Sequence, residues 1–403
     1  MVFIKWLNPG HKKLKYMVKF FGRSFRKEDL LRRVGSIDQL GGIKLSELED
    51  GPEKGVRIAQ MRTGELNVLI TVDRGLDIAN AEYRGIPLAW ISPTGITSPH
   101  FYEPESWGWL RGFFGGLVTT CGLTYMGVPT KDVFTDPRTS QVLEEELGLH
   151  GRISYAPARL TGVGGRWQED DYVMWIEGEL REVRVFEPNI VLRRRIEGKL
   201  GEKAIRIRDE VANEGAYEQP LMILYHINIG FPIVDEGSRL ISTSRMYVPR
   251  DQEALKDAEK FDIFHKPMKG YAEKVYFHDM MADEDGYAYA AIINNNLLDG
   301  VGVYVRFRRD ALHRFTEWKM MGEGTYVVGM EPGNALPVGR AQERAWGTLQ
   351  YIEPQETRVF QLEIGVIAGK EIGEFIDKVS RVTGGARPKM IKSVDEFVQA
   401  CKH

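Results

Sequence analysis

Short runs of alternating or continuous apolar residues dominate this chain. Runs at 56–58, 66–72, 172–176 and 205–208 are rich in β-branched and aromatic residues and are separated by glycine-containing turns, which predicts strands. Ile205 and Ile207 alternate with Arg206 and Arg208, so one face of that strand meets a core and the other meets water. Gly198-Lys199-Leu200-Gly201 lies between two such runs and predicts a hairpin connection. No strand–helix rhythm argues for a parallel sheet. The fold class expected is all-β, a large antiparallel β-sandwich over residues 41–368.

Helical patterning is confined to the two ends. Residues 24–35 predict a short helix with Ser24 as its cap, Leu30 and Leu31 on its apolar face and Gly35 at a left-handed stop. Residues 371–382 predict another before Gly384-Gly385, and Ser393-Val394-Asp395-Glu396 is a capping box ahead of Phe397 and Val398. The chain thus divides into an N-terminal extension with a short helix (1–40), the sandwich (41–368) and a helical segment packed on it (369–403).

Composition narrows the partners. Of 403 residues, 43% are hydrophobic and 28% charged, and 54 Lys and Arg against 57 Asp and Glu give a net charge of -3. Neither nucleic acid nor membrane is expected, because both attract a sustained basic field; a small neutral or weakly charged molecule fits better. Cys121 and Cys401 are the two cysteines, too few for a disulfide framework, and a reducing, cytoplasmic setting follows. The first apolar stretch is broken at Lys5 and Pro9, unlike a signal peptide. Met17 reads more like an ordinary start than Met1, with the basic segment before it packing on nothing. Oligomeric state is left open.

Three polar residues stand in apolar settings: His150 before Gly151-Arg152, His226 in Ile223-Leu224-Tyr225-His226-Ile227-Asn228, and Glu331 in Val328-Gly329-Met330-Glu331-Pro332. Imidazoles and a carboxylate are the groups that move protons near neutral pH. Each also has a structural reading, as a satisfied core histidine, a turn residue or a solvated strand-end carboxylate. Arg74 in Asp73-Arg74-Gly75-Leu76-Asp77 offers a fork of donors to sugar hydroxyls or an acidic group, or forms an ion pair within its own turn. Arg152 and Asn228 are further pocket candidates, and Trp318 is either a platform for a sugar C–H face or core. Arg193-Arg194-Arg195 reads as a solvated sheet surface. Gly162-Val163-Gly164-Gly165 lacks the setting of a phosphate loop, and no Cys or His cluster has zinc spacing.

The order Leu149-His150-Gly151-Arg152, a strand pair over 192–213, the His226 strand, then Gly329-Met330-Glu331-Pro332 resembles the aldose 1-epimerase (galactose mutarotase-like) superfamily across about residues 41–368. The segments 73–77 and 115–122 resemble signatures of a less characterised epimerase-like branch. The resemblance implies a cofactor-independent enzyme that interconverts sugar anomers by ring opening. His226 would be the acid toward the ring oxygen, Glu331 the base at the anomeric hydroxyl, and His150 a holder of ring hydroxyls, with no resident metal. His226 and Glu331 would face each other across a gap one pyranose wide, with Arg74 at the rim, whereas direct contact between them would favour the structural reading. The Asn-Arg substrate motif of better-known mutarotases is missing; 115–122 stands in its place. An isomerase or lyase acting on an oxidised or acidic sugar, a non-catalytic carbohydrate-binding domain, and a metal held jointly by the two histidines and the glutamate are the alternatives.

Overall fold

A computed structural model describes residues 17–20 and 22–401, and two large sheets dominate them, antiparallel throughout except where Lys389–Met390 pairs parallel with Ser244–Pro249. One has eight strands in the order Arg159–Gln168, Asp171–Val183, Asn189–Lys199, Ala204–Asn213, Thr357–Ala368, Val301–Arg308, Tyr287–Asn294 and Arg239–Ser242. The other has seven, ordered Lys389–Met390, Ser244–Pro249, Lys274–Met280, Arg314–Gly322, Thr325–Gly333, Met222–Gly230 and Thr119–Leu123. A five-stranded meander from Gly42–Glu47 to Ile86–Pro87 joins the second sheet where Ile78 bridges Val118. This is the all-β sandwich the alternation predicts.

Alternation along each strand decides what the sheets bury. Ile205, Ile207, Val303 and Val305 of the eight-stranded sheet share one core with Ile223, Tyr225, Ile227 and Phe315 of the seven-stranded sheet, and burying each such side chain contributes roughly 1.5–3 kcal/mol. Met222 and Leu224 point the opposite way, into a smaller cluster with Trp109, Phe113 and Cys121. Met222–Gly230 is therefore buried on both faces, and its polar residues have little access to bulk water.

The arginine run splits across this alternation. Arg193 and Arg195 reach the outer face and pair with Glu179, Glu214, Glu177 and Glu197. Arg194 points inward, fully buried, 2.6 Å from both Asp77 and Asp209, so a solvated surface describes two of the three.

The N-terminal helix is shorter than its pattern predicts, Lys27–Leu31. Val18 pairs with Phe25 and Lys19 with Ser24 in a small hairpin, which commits Ser24 to a ladder, and Gly35 is not among the left-handed glycines. The basic segment before Met17 lies outside the described residues. At the other end, Lys370–Thr383 stops at Gly384 with φ +65°, and Ser393 accepts from the Glu396 amide at the start of Val394–Ala400. Phe397 and Val398 then pack on Val248 and Phe277 of the seven-stranded sheet. Among the described residues no helix is long and apolar enough to cross a membrane.

Candidate active site

Strand register builds the site before any loop is considered. Thr119 pairs with His226, Ile227 with Met330, and Thr316 with Glu331. The row Thr119, His226, Glu331, Thr316 thus crosses four neighbouring strands on one face of the sheet, where opposed side chains stand close. His226 Nε2 is 3.2 Å from Glu331 Oε1. The gap expected between them is absent because facing positions on adjacent strands are neighbours by construction, and their contact is the arrangement that the structural reading predicts. Gly329 makes room for the pair: a Cβ there would lie 2.3 Å from Glu331 Oε1 and 3.0 Å from Trp318 Cβ.

His150 arrives from a turn. It adopts φ +56° and is followed by Gly151 at φ +76°, where a Cβ would sit 2.4 Å from the carbonyl oxygens of Gly122 and Tyr125. Only glycine fits there, which accounts for the His-Gly pair. The turn brings the His150 ring centroid to 5.9 Å from that of His226. Aromatic rings close the remainder: Trp318 lies 5.3 Å and Phe113 5.2 Å from His226, Trp109 4.9 Å from His150, and Trp90 6.1 Å from Trp318.

Burial sets the protonation. It drives His226 down to about 3, aided by the neighbouring His150, and His150 down to about 4. Glu331, 3% exposed, is pushed well above the usual carboxylate range by burial and then by the charge of Glu273, with Arg250 opposing. Both imidazoles are neutral near pH 7, and burial shifts the carboxyl toward its protonated form. His150 Nδ1, His226 Nδ1, Asn228 Oδ1, Thr316 Oγ1 and Glu331 Oε1 are buried without a hydrogen-bond partner, an unusual concentration for a folded interior. No group of three or more His, Cys, Asp or Glu among the described residues is placed to hold a metal ion.

The other candidates separate. Arg74 is not at a rim. It is 1% exposed, and its guanidinium donates to Ser154 O, Thr97 O and Oγ1, and Gly112 O while lying 3.9 Å over the Tyr155 ring. Nor does it pair within its turn, since Asp73 holds Arg57 and Asp77 holds Arg194. Its spent donors fasten the segment that carries Trp109 and Phe113. Asn228 is also structural in part, its amide donating to the carbonyls of Gly115, Gly116 and His226. Arg152 is exposed beside the turn. Trp318 stands in the wall with Nε1 donating to Glu273 at 2.8 Å.

Sequence reasoning missed Thr316, Glu273 and the covering residues Trp90, Trp109 and Phe113. Thr316 was accessible, because period-two alternation puts it on the same face as Trp318. The cover carries no local signal. A cavity of ≈ 750 Å³ lies elsewhere, lined by residues that include Phe134, Arg138, Tyr217, Arg340 and Tyr351. It contains none of the predicted residues.

Comparison with known proteins agrees with this architecture. A proposed aldose 1-epimerase from Klebsiella pneumoniae superposes with a TM-score of 0.80 at 23% identity, over 89% of this chain and 93% of that one. A galactose mutarotase-like protein from Clostridium acetobutylicum gives 0.57 at 12% identity, over 82% and 99%. Galactose 1-epimerase from Lactobacillus acidophilus gives 0.52 at 12% identity, over 81% and 99%. At these identities the likeness establishes the galactose mutarotase-like fold. No curated protein matches the chain. Residues 53–366 match the family described as Domain of unknown function (DUF4432), and the chain belongs to that family.

Proposed function

We propose that this protein is a cofactor-independent carbohydrate epimerase of the aldose 1-epimerase type, with His226 and Glu331 as its proton carriers and a small neutral sugar as substrate. The observation that carries the reading is the set of unpartnered polar atoms buried around His226 and Glu331. Such an arrangement is costly to fold, about 1–3 kcal/mol for each unmet group, and is repaid when a polyol supplies the missing partners.

Mutarotation needs one proton given to the ring oxygen and one taken from the anomeric hydroxyl. A neutral imidazole beside a neutral carboxyl has the same net charge as an imidazolium beside a carboxylate, so moving one proton across 3.2 Å converts the resting pair into an acid at His226 and a base at Glu331. Ring opening lets the aldehyde rotate; the reverse transfers close the ring on its other face. His150 holds ring hydroxyls through its free ring nitrogen, and Trp318 offers its face to sugar C–H groups. Because His226 and Glu331 are 6% and 3% exposed, a pyranose enters only when the aromatic cover moves aside.

An acidic sugar as substrate loses its main support once Arg74 is spent on backbone carbonyls. Exchange spectroscopy on aldoses in deuterated water tests the reading. Faster exchange between α and β anomers, with no deuterium entering carbon positions, is expected. Carbon-bound exchange would point to isomerase chemistry instead, and sugar binding with unchanged anomer exchange would leave a binding domain.

A further inference from the structure

Strand register leaves beside Glu331 one side chain that the proton-carrying pair does not employ. Thr316 is the residue directly opposite Glu331 on Arg314–Gly322, on the same face of the sheet, and is 1% exposed. Its Oγ1 has no hydrogen-bond partner, and neither has Glu331 Oε1. The two orphaned atoms are complementary, a hydroxyl that donates and a carboxylate that accepts. Opposed residues on paired strands hold their Cβ atoms about 4.5–5.5 Å apart, so rotation about the Thr316 Cα–Cβ bond brings the hydroxyl toward the carboxyl without moving the backbone.

We propose that Thr316 is a positioning residue for Glu331: its hydroxyl turns to the carboxylate as it forms, holding it ionised and aimed while the proton resides on His226 or the sugar. The inference rests on the epimerase reading, in which Glu331 gives up and regains a proton. The charged and titratable groups around Glu331 leave this task open. His226 from the strand on one side and His150 from its turn are driven neutral by burial. The Cys121 thiol, one strand further, is pushed far up by burial and by Glu331 itself. Glu273 opposes a second negative charge, and Arg250 is already engaged by Glu273 and Asp251. Thr119 on the row already donates to Gly115 O, and Thr316 is the remaining neutral donor.

The test compares Thr316→Val and Thr316→Ser with the parent in two ways: anomer relaxation of an aldose across pH, and titration of the Glu331 carboxyl without sugar by ¹³C NMR, its signal assigned by loss in Glu331→Gln. A hydrogen bond to a charged group is worth about a tenfold effect. Thr316→Val should lower kcat about tenfold with KM within about twofold, and should move both the alkaline limb and the carboxyl titration upward, because the ionised form loses a donor. Thr316→Ser should restore both. A Thr316→Val protein matching the parent in kcat, limb and titration overturns the inference, as does a serine variant as impaired as the valine one. If the parent relaxes no aldose, the epimerase reading fails and the catalytic role falls with it. The carboxyl titration then still decides whether the Thr316–Glu331 bond forms.

Discussion

His226 Nε2 and Glu331 Oε1 lie 3.2 Å apart, and in the proposed chemistry what each residue does follows from burial more than from its own chemistry. Burial opposes charge on both, lowering the imidazole to about 3 and raising the carboxyl. The form with a single proton on the pair persists between those two steps, which belong to the pair and not to either residue. The consequence for pH is specific. An imidazole acting alone would lose or gain its proton at about 6.5, whereas kcat/KM here should show no step there and should fall only where the pair loses its proton on the alkaline side or takes up a second near about 3 on the acid side. A pH–rate series on the folded enzyme checks this, and a midpoint near 6.5 would contradict it. Much at this scale was legible in the sequence: His150-Gly151, His226 and Glu331 each stood out as polar residues in apolar runs. Their direct contact was not, because no single strand reveals its partner's register.

At the scale of elements, a sheet supplies the pair and a loop-rich segment covers it. Arg74 fastens that segment from a tight turn of the five-stranded meander, bonding Ser154, Thr97 and Gly112. Its role was illegible because the same Asp-Arg-Gly turn would suit a guanidinium facing a ligand or one facing carbonyls 23 to 80 residues away. The two roles differ in experiment. Arg74→Met should destabilise the fold by at least about 3 kcal/mol, since several buried acceptors lose their donor at about 1–3 kcal/mol each, as read by denaturant unfolding. A direct sugar contact would instead weaken binding and leave stability within about 0.5 kcal/mol. Helix Lys370–Thr383 was legible from its period and its terminal glycine, while Lys27–Leu31 was overcalled because Ser24 served a hairpin in place of a cap.

Across the whole molecule, Arg194 ties the parts together. From the eight-stranded sheet it reaches Asp209 beside it, Asp77 of the five-stranded meander and Thr120 of the seven-stranded sheet, while Tyr225, one residue before His226, donates to Asp209. The fold class was readable from alternation, yet this link was not, since an arginine triplet in a strand reads as surface until the opposite face is known to be core. Arg194→Met should cost about 3–5 kcal/mol by leaving two buried carboxylates uncompensated, and adding Asp77→Asn and Asp209→Asn should recover part of it, as measured by chemical denaturation. That scaffold holds the pair on which the proposed chemistry depends. The decisive measurement is anomer relaxation of an aldose by the parent, by His226→Ala and by Glu331→Gln, each shown folded by its unfolding transition. The parent should accelerate relaxation, and either substitution should lower kcat/KM at least about tenfold. Variants that relax the anomers as fast as the parent would contradict the assignment of His226 and Glu331 as the proton carriers.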